Sequence, residues 1–489
     1  MSREPAPGAE TQWDGAGEGA GRDAAPLGAQ AGDERVVRVE RWNDRGEGVA
    51  HSDGLTVFTP RLIPGEAARI RVVERKPRYA RAEPLQVLTP AATRVASRCP
   101  LFGTCGGCAL QHVDYEAQLQ AKQLQVAEAL ARIGHLQVDA LHTLPSPLIW
   151  RYRNKAAIPL APALQTGEPI RAGFYRSGSH EVVPFVPASG CAIEDERIDA
   201  TLASFLEIAK EMGVEAFDEK SGHGLLRHLV VRVAPRGGRT LAAAVVASKE
   251  WPEAAEAARR LLARHQELVG FVVSAHPGPG NTIWGARNRT VTGVSWLDET
   301  MRVEGWGERR FRIDARSFYQ VNSLQAERLY AEALEQAGLT GTERVWDLYT
   351  GIGSLALFAA ARASSVFAVE AAAAAVADAR RNAVLNGIDN VRWLEGTVEE
   401  LVPGLLREGK PDVVLLDPPR RGMEPRALAA LAGSGARRII YVSCNPATLA
   451  RDLSELGTRG GYHVERVLPV DLFPQTAHVE TVVLMSRVK

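Results

Sequence analysis

The spacing of apolar and polar positions changes character three times along the chain. Between residues 35 and 91, short runs alternate the two kinds of side chain: "RVVRVERW", "GEGVAH", "LTVFTP", "ARIRVVER" and "ARAEPLQVL", with Ser-Asp-Gly and Pro-Gly turns between them. Five short strands in so little sequence predict a small β-barrel of the oligonucleotide-binding kind. From residue 92 to 320 the pattern is mixed. Tyr115, Leu119, Val126, Leu130 and Ile133 keep a helical period, and the strands "LLRHLVVRVAP" and "RTLAAAVVAS" flank an Arg-Gly-Gly turn before and after helices such as "IDATLASFLEIAKEM". This predicts an α+β middle domain. From residue 321 to 489 helix and strand alternate, through "SLQAERLYAEALEQAGL", "RVWDLY", "SLALFAAAR", "SVFAVE", "VRWLEG", "DVVLLD" and "RIIYVS". That order predicts an α/β, Rossmann-like parallel sheet. The last runs, "YHVERVLPVDLF" and "HVETVVLMSRV", are too close for a crossover helix and are expected to pair antiparallel at one edge.

Composition adds boundaries to this picture. The 489 residues are 45% hydrophobic and 24% charged, enough for about three domains at roughly 100–200 residues each. No apolar run approaches the ~18 residues that span a bilayer, so no membrane association and a cytoplasmic location are expected. Residues 1–34 are rich in Gly, Ala, Pro and acids and are expected to form a disordered tail. Formal net charge is zero, yet residues 35–98 hold thirteen Lys and Arg against seven Asp and Glu. Arg69, Arg71, Arg75, Lys76, Arg78 and Arg81 gather beside Tyr79, as a phosphate-tracking surface requires. A solvated strand face would give the same run.

The last domain carries the chemistry. In "DLYTGIGSLAL", Gly351 and Gly353 sit at the first strand-to-helix turn, and Glu370 ends the next strand, where a carboxylate accepts hydrogen bonds from ribose hydroxyls. The turn lacks the third glycine of the dinucleotide fingerprint and the lysine of the phosphate loop. A nucleoside cofactor without phosphate, S-adenosylmethionine, fits better than NAD or ATP. Asp417 closes the strand in "LLDPPRRGMEP", and Cys444 closes the next in "YVSCNPATLARDL". Both are expected to face the crevice shared with Gly351 and Glu370.

Five cysteines, an odd number in a reducing compartment, argue against a disulfide framework. Cys99, Cys105 and Cys108 form one cluster, with Cys191 eighty-three positions further on. Four thiolates suit either zinc or an iron–sulfur cluster, and spacing alone does not choose. The spacing does not match radical S-adenosylmethionine chemistry.

The ordered set "CPLFGTCGGCALQH", "FYQVN", "DLYTGIGS", "LLDPPR", "VSCNPATLARDL" and "HVETVVLM" resembles the 5-methyluridine RNA methyltransferases over about residues 35–489. The resemblance implies a TRAM barrel at 35–91, a middle domain at 92–320 holding a 4Fe-4S cluster on Cys99, Cys105, Cys108 and Cys191, and a class I methyltransferase domain at 321–489. It implies Cys444 as nucleophile, Glu480 as proton-abstracting base, and Gln320, Tyr349, Glu370 and Asp417 at the S-adenosylmethionine side. At two cofactor positions where relatives often carry asparagine, this chain has Ser354 and Thr397. A monomer acting on RNA, chiefly 23S ribosomal RNA, is the expectation, with transfer RNA as the alternative. Three rivals remain. Cytosine-5 RNA methyltransferases carry a second cysteine where this chain has "DPPR", amino-group methyltransferases need no Cys444, and a non-catalytic RNA-binding iron–sulfur protein would bind no S-adenosylmethionine.

Overall fold

The computed structural model describes residues 30–487 apart from 166–169, 186–189, 279 and 281. Most of the expected tail, residues 1–29, lies outside the described residues. Its last residue, Glu34, already pairs with Arg71 in the first strand, so the barrel begins there.

Six strands make the N-terminal barrel, in the order Glu34–Arg38, Ala67–Arg75, Tyr79–Thr89, Leu55–Thr59, Gly48–Ser52 and Arg41–Trp42. The extra strand arises because the first apolar run breaks at Val39 and Glu40. Along Ala67–Arg75 the period of two turns Ala68, Ile70 and Val72 into the core and leaves Arg69 and Arg71 in solvent. Among the six clustered cations, Arg71 pairs with Glu34, Lys76 with Glu74 and Arg81 with Glu47 on the barrel itself.

The middle domain is a seven-stranded mixed sheet, ordered Arg287–Gly293, Leu268–Ala275, Arg239–Val246, Leu226–Ala234, Lys155–Ala161, Arg171–Tyr175 and Val182–Pro184. Helices Glu196–Glu211 and Ala254–Arg264 bury their apolar faces against one side of it. A hairpin, Trp296–Val303 with Gly307–Asp314, follows. Met301, Phe311 and Ile313 of this hairpin enter the same core as Leu329 and Phe358 of the next domain.

The C-terminal sheet runs Val391–Glu395, Ser365–Glu370, Arg344–Leu348, Val413–Leu416, Arg438–Ser443, Glu480–Arg487 and Tyr462–Val470. The first five are parallel, and the last two pair antiparallel at the edge, as the short connection requires. Strand order reverses between Arg344–Leu348 and Val413–Leu416, which opens a crevice at their carboxyl ends. Strands buried on both faces, such as the fully apolar Val413–Leu416, place their ends rigidly because a shift of one residue would disturb two cores at once. Among the described residues no helix is long and apolar enough to cross a membrane.

Candidate active site

At the switch point the strand Arg344–Leu348 ends in a turn held by its own side chains. The Thr350 hydroxyl donates to the Asp347 carboxylate at 2.5 Å, and Glu370 takes the Gly351 amide at 3.0 Å and the Ala372 amide at 2.8 Å. Glu370 is thereby fixed beside the glycine turn with lone pairs to spare, since an ionised carboxylate has about four acceptor sites. Space over Gly351 is open: a Cβ built there meets nothing within 4 Å. These features fit a ribose-bearing cofactor. Burial pushes the Asp347 carboxyl up to about 7, although the Thr350 bond opposes the rise.

Asp417 follows the strand Val413–Leu416 and is likewise pushed up to about 7 by burial. Beside it the buried Tyr330 hydroxyl is pushed up by burial and by Asp417, while Ser354 and Gln320 oppose the rise. Gln320 is itself buried, its carbonyl accepting from Asn154 Nδ2 of the middle domain at 3.1 Å. Tyr349 is placed differently. Its backbone adopts φ +67°, and its ring packs into the opposite core, among Tyr441, Asp452 and Glu424. Gln320 and Asp417 both lie near Tyr330, and Asp417 and Glu370 both lie near Asp347.

Cys444 and Glu480 leave neighbouring antiparallel strands. Ser443 stands opposite Thr481, so the next residue out on each strand is Cys444 on one and Glu480 on the other. Glu480 disfavours ionisation of the Cys444 thiol. Burial, then the nearby Glu480 and Asp417, push the Cys444 thiol up to about 11, and Arg420 opposes them. Glu480, only 5% exposed, is held well above the usual carboxylate range by burial and Asp417, again opposed by Arg420. Arg420 is therefore the cation on which both ionised forms depend. Its position is tied down: its carbonyl accepts from Asn445 Nδ2 at 3.0 Å and Thr448 Oγ1 at 3.2 Å, and its guanidinium lies 3.3 Å from the His478 ring nitrogens. Asn445 also caps the helix Pro446–Gly460 by accepting from the Ala447 amide at 3.0 Å. The motifs containing Arg420, Tyr330 and Asp347 were visible in the sequence, but nothing there distinguished these residues from solvated or core ones. A charge inside the apolar strand "RVWDL" was the one available signal.

Cys99, Cys105, Cys108 and Cys191 are all free thiols and line a single cavity of about 30 Å³ with Phe174 and Phe185. Burial raises Cys105 and takes Cys108 up to about 12, so these thiols ionise only beside a cation. The four thiols share one cavity, and thiol donors as such suit zinc or an iron–sulfur cluster. Among the described residues, however, no group of three or more His, Cys, Asp or Glu side chains is arranged to hold a metal ion.

Comparison with known proteins bears on most of the chain. Residues 281–488 match the tRNA (Uracil-5-)-methyltransferase family model and residues 28–85 match the TRAM domain. An uncharacterized RNA methyltransferase of Halalkalibacterium halodurans is 38% identical over 452 residues, 92% of this chain and 96% of its own. The chain belongs to the RNA uracil-5-methyltransferase family. Another relative of that description, from Gloeobacter violaceus, is 37% identical over 96% of this chain and 99% of its own. Among solved structures, the Pyrococcus abyssi tRNA (uracil-54, C5)-methyltransferase in complex with S-adenosyl-L-homocysteine superposes with a TM-score of 0.72 at 25% identity, covering 92% of this chain and 99% of its own. As a family member, the chain is an RNA methyltransferase with an N-terminal TRAM domain and a C-terminal class I fold.

Proposed function

We propose that the protein transfers a methyl group from S-adenosylmethionine to carbon 5 of a uridine in structured RNA, through a covalent bond between Cys444 Sγ and carbon 6. The observation that carries this reading is the pairing of Cys444 with Glu480 at the crevice end of the sheet, next to Asp417 and Arg420. Glu370, Gln320, Asp417 and the Tyr349–Gly353 turn would hold the cofactor, which when bound supplies an electrophilic methyl. Carbon 5 of uracil is a weak nucleophile. Addition of the Cys444 thiolate to carbon 6 turns the ring into an enolate whose carbon 5 attacks the methyl. Carbon 5 then carries both the new methyl and its original proton. Glu480 removes that proton, the double bond re-forms, and Cys444 leaves carbon 6 by elimination.

The two residues therefore fail at different points. Cys444→Ala forms no bond to RNA, whereas Glu480→Gln adds, accepts the methyl and stalls. On a denaturing gel with methyl-labelled cofactor, a labelled protein–RNA band is expected for the glutamate variant alone. RNA containing 5-fluorouridine traps the wild type in the same way, because fluorine does not leave as a proton. If Cys444→Ala still forms the fluorinated adduct, the nucleophile lies elsewhere.

The resemblance of the TRAM barrel and cysteine group to ribosomal RNA enzymes supports 23S ribosomal RNA as the substrate. The Pyrococcus structure, named for a transfer RNA uridine, favours transfer RNA as a second reading. Mapping 5-methyluridine by mass spectrometry in both RNA pools of a strain lacking the protein separates them.

The four thiols are proposed as ligands of a 4Fe-4S cluster, which would hold the Cys99–Cys108 loop to Cys191. Protein prepared without oxygen should contain iron and sulfide in near-equal amounts, and Cys108→Ser should lose both. Stoichiometric zinc without sulfide would make the site a zinc centre.

A further inference from the structure

Two buried polar side chains of the middle sheet reach the segment that carries Gln320. Arg232 lies in the strand Leu226–Ala234, opposite Lys155, and is 2% exposed. Burial pushes its guanidinium down to about 10, with Tyr319, Asp314 and Asp378 opposing, so it stays charged at neutral pH. Among the described residues its Nη2 donates to the Ser317 carbonyl at 2.5 Å, while Nε and Nη1 are buried without a partner. Asn154, 1% exposed, stands just before the strand Lys155–Ala161, and its Nδ2 donates to the Gln320 carbonyl at 3.1 Å and to Ser323 Oγ at 2.7 Å. From the other side the Ser317 hydroxyl donates to Asp378 of the helix Ala373–Leu385. Asn382 of that helix donates to the Ile352 carbonyl in the glycine turn at 3.3 Å.

A guanidinium buried with two of its three nitrogens unpartnered costs stability, and a single carbonyl bond does not return that cost. An apolar side chain of similar length would fill the same space more cheaply. What Arg232 supplies is position. Ser317 is held between this cation and a helix that also braces the glycine turn, and Gln320, three residues on, is held by Asn154. We propose that Arg232 and Asn154 are positioning residues for the methyl donor, fixing the main chain at Ser317 and Gln320 so that the Gln320 side chain meets S-adenosylmethionine in one orientation. The cofactor affinity then depends on two side chains of the middle sheet. Contact between the two regions does not: the Asn154 amide donates to the Val321 carbonyl at 2.8 Å and the Val233 amide to the Asn154 carbonyl at 2.7 Å, and these main-chain bonds survive a change of side chain. This inference rests on the reading of Gln320 as a cofactor contact.

The test measures S-adenosylmethionine binding to the full-length protein by calorimetry, beside thermal unfolding without the cofactor. Arg232→Met should weaken binding by roughly 10- to 100-fold, as loss of one hydrogen bond from a charged group does. Its melting temperature should stay at or above that of the wild type, because the buried charge is gone. Arg232→Lys, which keeps one donor, should recover part of the affinity, and Asn154→Leu should weaken binding as well. In a Gln320→Ala background neither Arg232→Met nor Asn154→Leu should add a further loss, since both act through that side chain. The proposal is overturned if either folded variant binds the cofactor like the wild type while Gln320→Ala does not, if their losses multiply with that of Gln320→Ala, or if affinity falls only in step with the melting temperature. Should Arg232→Met not fold, Arg232→Lys and Asn154→Leu, each alone and with Gln320→Ala, decide by the same criteria. Failure of the underlying reading looks different: Gln320→Ala itself then binds S-adenosylmethionine with wild-type affinity.

Discussion

A half-buried thiol and a buried carboxylate side by side are poor partners for a reaction that needs each in its ionised form. Burial and the neighbouring carboxylates Glu480 and Asp417 push Cys444 up to about 11, and burial and Asp417 hold Glu480 well above the ordinary carboxylate range. Arg420 opposes both effects, and the bonds from Asn445 and Thr448 to its carbonyl keep it in place. Removing this cation moves the thiol further up. The rate of adduct formation with 5-fluorouridine RNA, followed against pH, should therefore rise at a higher pH in Arg420→Ala than in the wild type, with Arg420→Lys between them. An unmoved profile would mean that the charge of Arg420 does not reach the thiol. The sequence offered Cys444 and Glu480 through their motifs, since nucleophile and base belong to recognisable strings. Arg420 was hidden among many arginines, because a charge acquires its role only from what the fold sets beside it.

Elements were legible wherever periodicity was strong, and the cofactor turn shows how backbone geometry adds what periodicity omits. Gly351 and Gly353 have φ +57° and +88°, in the left-handed region that glycine enters without steric cost. Their surroundings differ. A Cβ at Gly353 would lie 2.6 Å from Trp393 Cη2, while one at Gly351 meets open space. Gly353→Ala should therefore cost about 1–3 kcal/mol or more in unfolding stability through strain and displacement of the Trp393 ring. Gly351→Ala adds only the conformational strain and should act mainly by occupying the crevice. Thermal melts with calorimetry of cofactor binding distinguish them: a large melting shift for Gly353→Ala, and lost binding out of proportion to a smaller shift for Gly351→Ala. The parallel sheet, its antiparallel edge and the barrel were readable from apolar runs and turn residues. The hairpin Trp296–Val303 with Gly307–Asp314 was not, because arginines and acids alternate through it and only tertiary packing shows that Met301, Phe311 and Ile313 belong to the catalytic core.

At the scale of the whole molecule, the cysteine loop and the catalytic strand are joined by one buried polar junction. The helix Tyr115–Arg132 was expected from its apolar stripe, yet it also buries Gln118 and Lys122, which no stripe reveals. Lys122 donates to Asp471 at 2.5 Å and to the Phe473 carbonyl at 3.1 Å, and the Tyr115 hydroxyl donates to the other Asp471 oxygen at 2.8 Å. Gln118 and Gln475 exchange two further bonds, and the Gln475 carbonyl accepts the Ala109 and Leu110 amides directly after Cys108. The segment 471–475 thus leads from the cysteine loop to Glu480. Lys122 and Asp471 are 1% and 0% exposed, so each is tolerated only because the other is present. Lys122→Met leaves a buried carboxylate unpaired and should cost about 3–5 kcal/mol, whereas adding Asp471→Leu should recover much of that loss. Denaturant unfolding of the two variants measures this coupling, and equal destabilisation of single and double variants would show that the pair is not the source of the stability. Recovered stability need not restore activity. With Asp471 replaced, Tyr115 loses its acceptor and the chain leading to Glu480 loses its anchor, so the double variant should fold and still form product more slowly than the wild type. Product formation at the wild-type rate would mean that Glu480 is positioned by its own strand alone.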